Sequence, residues 1–389
     1  MSPLKAIPVA SLVYDFFFGL SSGIGALFFA IFVFLRHGRK KLFAKVYRID
    51  VIGGLILLYL AVGILFSGGN LILLLTFIKV VLISSVCYRY IKINMEIDAL
   101  PKFLAIACIL QVLFVQFVFL YPQMEAFGNF LRPTNSHLFN TYGEDHPLRF
   151  RLYPASGQLV SGLAVVMGFC FLVLTASLFK NRGRHRTSDL LLLIPGIASA
   201  IVLGLLSGRT FFIFPLFLCL FLLARKPRKV LRYFSIFLLV FASYIFVSGG
   251  FSNNLNRWLF EPVYRLLSEG RISTLSTDNL FERHLFIPHL DFVLAHSFTF
   301  KSNGIWTAGT DSGWLRYLFL GGPMFLLLLI SFHTSSFKNI LKMPANYILH
   351  IGLIFLVLLK QEFSTNASAV GLSILSYAYF AKVFYASGK

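Results

Sequence analysis

The chain is 389 residues long, 57% hydrophobic and only 13% charged, with a mean hydropathy of +0.79 and a formal net charge of +20. Apolar windows of about 20 residues, each long enough to cross a hydrocarbon core as a helix, recur from end to end and exclude a separate soluble domain. The positive charge is not a nucleic-acid footprint, because it is concentrated in the loops between these windows, where it acts as an orientation signal.

Taken in chain order, Met1 to Ala10 carry one Lys and no small-residue cleavage site, so no removable signal peptide is expected. Predicted spans then run over 12–35, 51–67, 71–88, 103–121, 158–179, 190–206, 211–224, 233–248, 315–333, 346–361 and 367–384. This is an all-α polytopic membrane protein of about eleven helices, with a range of ten to twelve, forming one integral domain over 1–389. Alternation puts the C-terminus inside and the N-terminus outside. Asp15 and the Ser21-Ser22-Gly23 break leave room for a re-entrant first segment and an inside N-terminus.

The loops Arg36 to Asp50, Tyr88 to Lys102, Lys180 to Asp189, Arg225 to Arg232, Thr334 to Asn346 and the C-terminal tail hold 22 of the 35 Lys and Arg but only four acids, which assigns them to the cytoplasm. Cys87, Cys108, Cys170 and Cys219 fall in or at the ends of spans, without His or Cys neighbours at metal spacing, so neither a disulfide nor a metal site is expected. Lys79 lies within a span, where an ammonium needs a partner in the bundle or a wet cavity; Asp15 is the candidate partner. Gln111 and Gln116 fit interhelical hydrogen bonding.

On the opposite side lie short turns at Ser67 to Asn70, Ser207 to Thr210 and Gln361 to Asn366, and two long polar segments, 122–157 and 249–313. These two segments contain nine of the fifteen acids with nearly as many basic residues, the pattern of a folded polar surface. In the longer one, Glu261-Pro262 opens a predicted amphipathic helix. Val263, Leu266 and Leu267 lie on one side and Glu261, Arg265 and Glu269 recur every four residues on another, a helix suited to a membrane surface that ends at Gly270. A second helix is expected after Ser276-Thr277-Asp278, carrying Glu282, Arg283 and His284 as far as Pro288. His284, His289 and His296 are spaced so that they cannot form one helical face of metal ligands.

Arginine dominates the cations of this side: Arg132, Arg149, Arg151, Arg209, Arg257, Arg265, Arg271, Arg283 and Arg316, against Lys301 in the long loops and Lys360 at the end of a span. Planar bidentate donors suit phosphate or pyrophosphate, while the plainer alternative is pairing with nearby acids. Arg209 stands between two apolar runs, Leu205-Leu206-Ser207-Gly208-Arg209-Thr210-Phe211-Phe212, and Asp189 is the one acid within twenty residues of it. It either reaches lipid headgroups or serves an anionic partner, since a guanidinium at bilayer depth costs about 2.5 to 3.5 kcal/mol. Lys360 with Glu362 snorkels to the interface or joins the same anion site. Trp258, Trp306 and Trp314 serve an aromatic belt or stack on sugars. No G-x-x-x-x-G-K-[ST] loop for nucleotide phosphates occurs.

Three elements in order, Arg149-Phe150-Arg151-Leu152-Tyr153-Pro154-Ala155-Ser156-Gly157, Leu206-Ser207-Gly208-Arg209, and Thr310-Asp311-Ser312-Gly313-Trp314-Leu315-Arg316-Tyr317-Leu318-Phe319-Leu320-Gly321-Gly322, resemble the pattern of the O-antigen polymerase family over about 149–332. The resemblance implies a bacterial inner-membrane enzyme that joins polyprenyl-diphosphate-linked oligosaccharide repeat units on the periplasmic face. It implies membrane lipid and a chain-length regulator protein as partners, and neither cofactor nor nucleic acid. A glycine-rich element late in the loop is reduced here to Ser302-Asn303-Gly304, and Arg209 follows Ser-Gly where the family has Ser-Arg-Gly. Asp311 stands where related O-antigen ligases offer a histidine, which favours polymerase over ligase. The expected pyrophosphate contacts are Arg149, Arg151, Arg209 and Arg316, with Lys360 beside them, and the expected bases are Asp311, then Glu282 and His284. The alternatives are an O-antigen ligase or a non-enzymatic flippase or transporter of the lipid-linked glycan.

Overall fold

The computed structural model describes residues 7–14, 24–42, 45–94, 96–121, 123, 160–180, 187–223, 261–271, 273–274, 278–279, 281–282, 285–288, 298, 301–302, 305–306, 310, 312–338, 351–358 and 366–385. The described chain is helical apart from one hairpin of two-residue strands. Its helices are α1 Ile7–Tyr14, α2 Ile24–Leu42, α3 Arg48–Ser67, α4 Leu71–Asn94, α5 Leu100–Leu120, α6 Val160–Lys180, α7 Thr187–Ser207, α8 Ile213–Leu223, α9 Glu261–Glu269, α10 Gly313–Lys338 and α11 Ala367–Tyr385. Short 3₁₀ turns at Glu96–Ala99 and Arg209–Phe212 precede α5 and α8, and residues 351–358 are helical.

Seven of these helices are long and apolar enough to span a membrane: α3, α4, α5, α6, α7, α10 and α11. Leu58, Leu65 and Phe66 on α3 are 61%, 81% and 89% exposed, apolar surface of a kind that only lipid or a partner would cover. The protein is therefore an all-α multi-pass membrane protein. Of the other expected spans, 12–35 is described as two pieces, α1 and α2, with 15–23 and hence Asp15 outside the described residues. Span 211–224 is represented by the eleven residues of α8, and 346–361 by residues 351–358. Span 233–248 and all of segment 122–157 except residue 123 lie outside the described residues.

The core runs through α6 and α11, whose spans are 78% and 83% buried, against 22% for α3. Both pack together and α11 also packs on α4; α7 closes against α5 and α6, and α10 lies along α3. Asn70 Oδ1 accepts from the Ile72 amide at 2.8 Å and Asn366 Oδ1 from the Ala369 amide at 3.0 Å, capping the starts of α4 and α11.

One end of the bundle is stitched by ion pairs between helix termini. Arg89 near the end of α4 grips Asp50 at the start of α3 with both Nη atoms, at 2.7 and 2.6 Å, and donates to the Lys45 carbonyl at 3.1 Å. Lys102 of α5 meets Asp189 of α7 at 2.6 Å, and Lys382 of α11 meets Asp98 at 2.7 Å. Three of the four acids in the basic loops are thus consumed in helix-to-helix pairing. Arg89, counted among the loop cations above, is instead 4% exposed inside α4, which continues to Asn94. Gln116, expected to bond between helices, lies exposed on α5, whereas Gln111 is buried.

α10 is broken at Gly321 and Gly322, the latter at φ 68°, a left-handed value that glycine adopts without a side-chain clash; Pro323 follows. The carbonyls exposed by the break are satisfied from outside the helix. The Tyr59 hydroxyl of α3 donates to the Gly321 carbonyl at 2.7 Å and the Phe298 amide to the Leu320 carbonyl at 3.1 Å. The Phe298 carbonyl in turn accepts from the Asn70 amide at 3.2 Å, so the long polar segment is tied to the α3–α4 turn and to α10 at the bundle end opposite the ion pairs.

Candidate functional site

α7 runs apolar to Ser207, and the chain then reverses through Gly208 into the 3₁₀ turn and α8. The reversal is held by packing. A Cβ at Gly204 would lie 2.1 Å from Phe211 Cδ2, so the Phe211 ring folds back into a notch that only a glycine leaves open. Phe211, 1% exposed, also meets Phe171 of α6 edge-to-face at a centroid distance of 5.8 Å, and Phe214 meets Phe169 at 5.0 Å. Gly208 donates to the Gly204 carbonyl and Phe211 to the Gly208 carbonyl, at 3.0 and 3.1 Å, which closes the turn. Arg209 therefore projects from a rigid hairpin head, two residues from its buried anchor.

The Arg209 side chain is only 15% exposed, and its Nη1 lies 2.5 Å from Oε2 of Glu261, whose side chain is 10% exposed. Glu261 is the first residue of α9. Within α9 the expected four-residue repeat divides by role: Arg265 bonds Glu269 through Nε at 2.9 Å and Asp278 through Nη1 at 2.5 Å, a local network, while Glu261 reaches the bundle. The hydrogen bond from Arg265 is the main cause holding the Asp278 carboxyl below its ordinary range. Val263, Leu266 and Leu267 are 39%, 44% and 73% exposed, so the apolar side of α9 faces away from the bundle, as expected of a membrane-surface helix, and Gly270 at φ 69° ends it.

Arg316, in the first turns of α10, is 7% exposed and donates through Nε to the Thr310 carbonyl; the Ser312 amide donates to Thr310 Oγ1 at 3.1 Å. Arg316 precedes the α10 break on the side towards Phe298 and the α3–α4 turn, and so stands at the same end of the bundle as Arg209. Trp314 bonds the Phe355 carbonyl through Nε1 at 3.2 Å and lies on the Phe355 ring at 4.2 Å, which makes it a helix-packing residue.

Of the expected site residues, Arg316 is buried and Arg209 partly buried at one bundle end, and Glu282 is exposed. Arg149, Arg151, His284, Asp311 and Lys360 lie outside the described residues, as do His289, His296 and Trp258. Lys79 is half-buried in α4, all four cysteines carry free thiols, and among the described residues no three His, Cys, Asp or Glu side chains gather as metal ligands. Glu261 is the residue that sequence reasoning placed on a solvated stripe and the fold places against the key arginine. No family model, curated protein or solved structure matches the chain.

Proposed function

We propose that this membrane protein is an O-antigen polymerase of the bacterial inner membrane. In this proposal about eleven spans leave segments 122–157 and 249–313 in the periplasm, and a lipid-linked glycan is transferred from polyprenyl diphosphate to a sugar hydroxyl of another lipid-linked repeat unit. The observation that carries the proposal is a guanidinium, Arg209, held nearly buried by apolar packing at the head of a helical hairpin, with Arg316 buried at the same bundle end. An arginine is costly in apolar surroundings unless it meets an anion, and here the anion that meets Arg209 is Glu261, at 2.5 Å.

In the reaction, the bond between the anomeric carbon and the diphosphate oxygen breaks while the acceptor hydroxyl oxygen bonds to that carbon. The leaving polyprenyl diphosphate gains negative charge, which fixed guanidinium groups stabilise without reorganising. Arg209 and Arg316, with Arg149 or Arg151 and Lys360, take this role, and the acceptor proton passes to Asp311, Glu282 or His284. No metal is needed for leaving-group stabilisation in this scheme.

The test is a gel ladder of surface lipopolysaccharide from cells lacking the gene, complemented with wild type, Arg209→Ala or Arg209→Lys. The proposal predicts core bearing a single repeat unit in the deletion strain and in Arg209→Ala, with Arg209→Lys also impaired. Core without any repeat unit would assign ligase or flippase, and an unchanged ladder would remove the chain from this pathway.

A further inference from the structure

Arg89 and Arg209 are both nearly buried and both paired with a carboxylate, but the two pairs are built differently. Asp50 and Arg89 stand on two packed spanning helices and meet through both oxygens and both Nη atoms, and Ser85 and the Lys45 carbonyl bond to the pair as well. Such a pair joins two spanning helices directly. Arg209 stands on the bundle, while its partner Glu261 stands on the nine-residue α9, whose apolar side chains are exposed. The contact of Arg265 with Glu269 lies within α9, and its contact with Asp278 ties α9 to its own polar segment independently of Arg209.

We propose that Glu261 occupies the anion seat of Arg209 and sets a charge threshold on it, so that multiply charged phosphate groups displace the carboxylate and singly charged phosphodiesters do not. This rests on the polymerase proposal for the identity of the diphosphate ligand. The physical reason is a difference in Coulomb energy. Replacing a carboxylate of one negative charge by a phosphodiester of one negative charge leaves the attraction to Arg209 nearly unchanged, yet the departing Glu261 must be resolvated. A diphosphate of two or three charges gains attraction in a poorly solvated place, where each charge counts for several times its value in water. The threshold discriminates against the phosphodiester headgroups that crowd every membrane surface, an example of specificity obtained by penalising the competitor. Glu261 is thus a specificity-determining residue.

The test uses the full-length protein in phosphatidylcholine nanodiscs, with a short-chain polyprenyl diphosphate as ligand and phosphatidylglycerol as the singly charged competitor. Wild type is expected to bind the diphosphate with an affinity that doping the disc with phosphatidylglycerol does not change. Glu261→Gln is expected to bind the diphosphate about tenfold more tightly, and phosphatidylglycerol is expected to compete in this variant. Glu261→Asp, whose shorter carboxylate draws back from Nη1, is expected to fall between the two and provides the result if the glutamine variant does not fold. Weaker or unchanged diphosphate binding in both Glu261 variants, with binding lost in Arg209→Gln, would overturn the threshold and leave the polymerase proposal standing. No diphosphate binding in any variant would overturn both.

Discussion

Substituting Gly204 by alanine tests whether the hairpin packing positions Arg209. The added Cβ would sit 2.1 Å from Phe211 Cδ2 and 2.5 Å from its Cγ, whereas carbon atoms prefer about 3.5 to 4.0 Å, so one partner must move by more than an ångström. The ring has little room, being 1% exposed and set against Phe171. Overpacking of this kind costs about 1 to 3 kcal/mol, while alanine gains about 1 kcal/mol over glycine in helix propensity. The net expectation is a loss of roughly 1 kcal/mol in stability, read as a lowered unfolding midpoint of the purified protein in detergent. The lipopolysaccharide ladder should shorten far more than so small a loss explains, because Arg209 moves with Phe211. Adding Phe211→Leu to Gly204→Ala should return part of both. A Gly204→Ala protein as stable as wild type with a full ladder would refute the idea that this notch positions the arginine.

Three further outcomes follow from the same contacts. Arg89→Met should lower stability by about 3 to 5 kcal/mol by leaving Asp50 without its partner, and Arg89→Met with Asp50→Leu should recover most of it in the same unfolding assay; equal loss in both would contradict the pairing account. Tyr59→Phe removes the donor to the Gly321 carbonyl at the α10 break and should cost about 1 to 3 kcal/mol in the same unfolding assay; no loss would contradict the role given to this bond. Because Arg265 depresses the Asp278 carboxyl, the stability this pair contributes is present above the ordinary carboxylate range and is lost as the pH falls through and below it. Amide exchange around Thr274 and Asp278, corrected for intrinsic rates, should accelerate over that acid window in wild type and already be fast in Arg265→Met.

Much of the architecture was legible because lipid imposes one long-range rule, a run of apolar residues long enough to cross it, which the seven spanning helices obey. Averages over such windows hide what happens inside them. The Gly321-Gly322-Pro323 break was visible as letters within span 315–333, but its repair by Tyr59 and Phe298 involves residues remote in the chain. Arg89 looked like a loop cation because it follows an apolar run, and only packing reveals that α4 continues and buries it on Asp50. For the candidate site, the oddity of Arg209 was plain from its apolar neighbours, but its partner was not. Periodicity grouped Glu261 with Arg265 and Glu269, and a helical repeat says which residues share a face without saying what lies opposite the first turn.

The most direct measurement is reconstitution of the purified chain in liposomes with a polyprenyl-diphosphate-linked repeat unit as sole substrate, following lipid-linked dimers and released polyprenyl diphosphate together. The account predicts one polyprenyl diphosphate per glycosidic linkage formed, so that released diphosphate equals dimer before dimers are extended, without added metal, and that both products vanish in Arg209→Ala while the variant remains folded. Dimers formed at the wild-type rate by Arg209→Ala, or no dimer from folded wild-type protein, would contradict it.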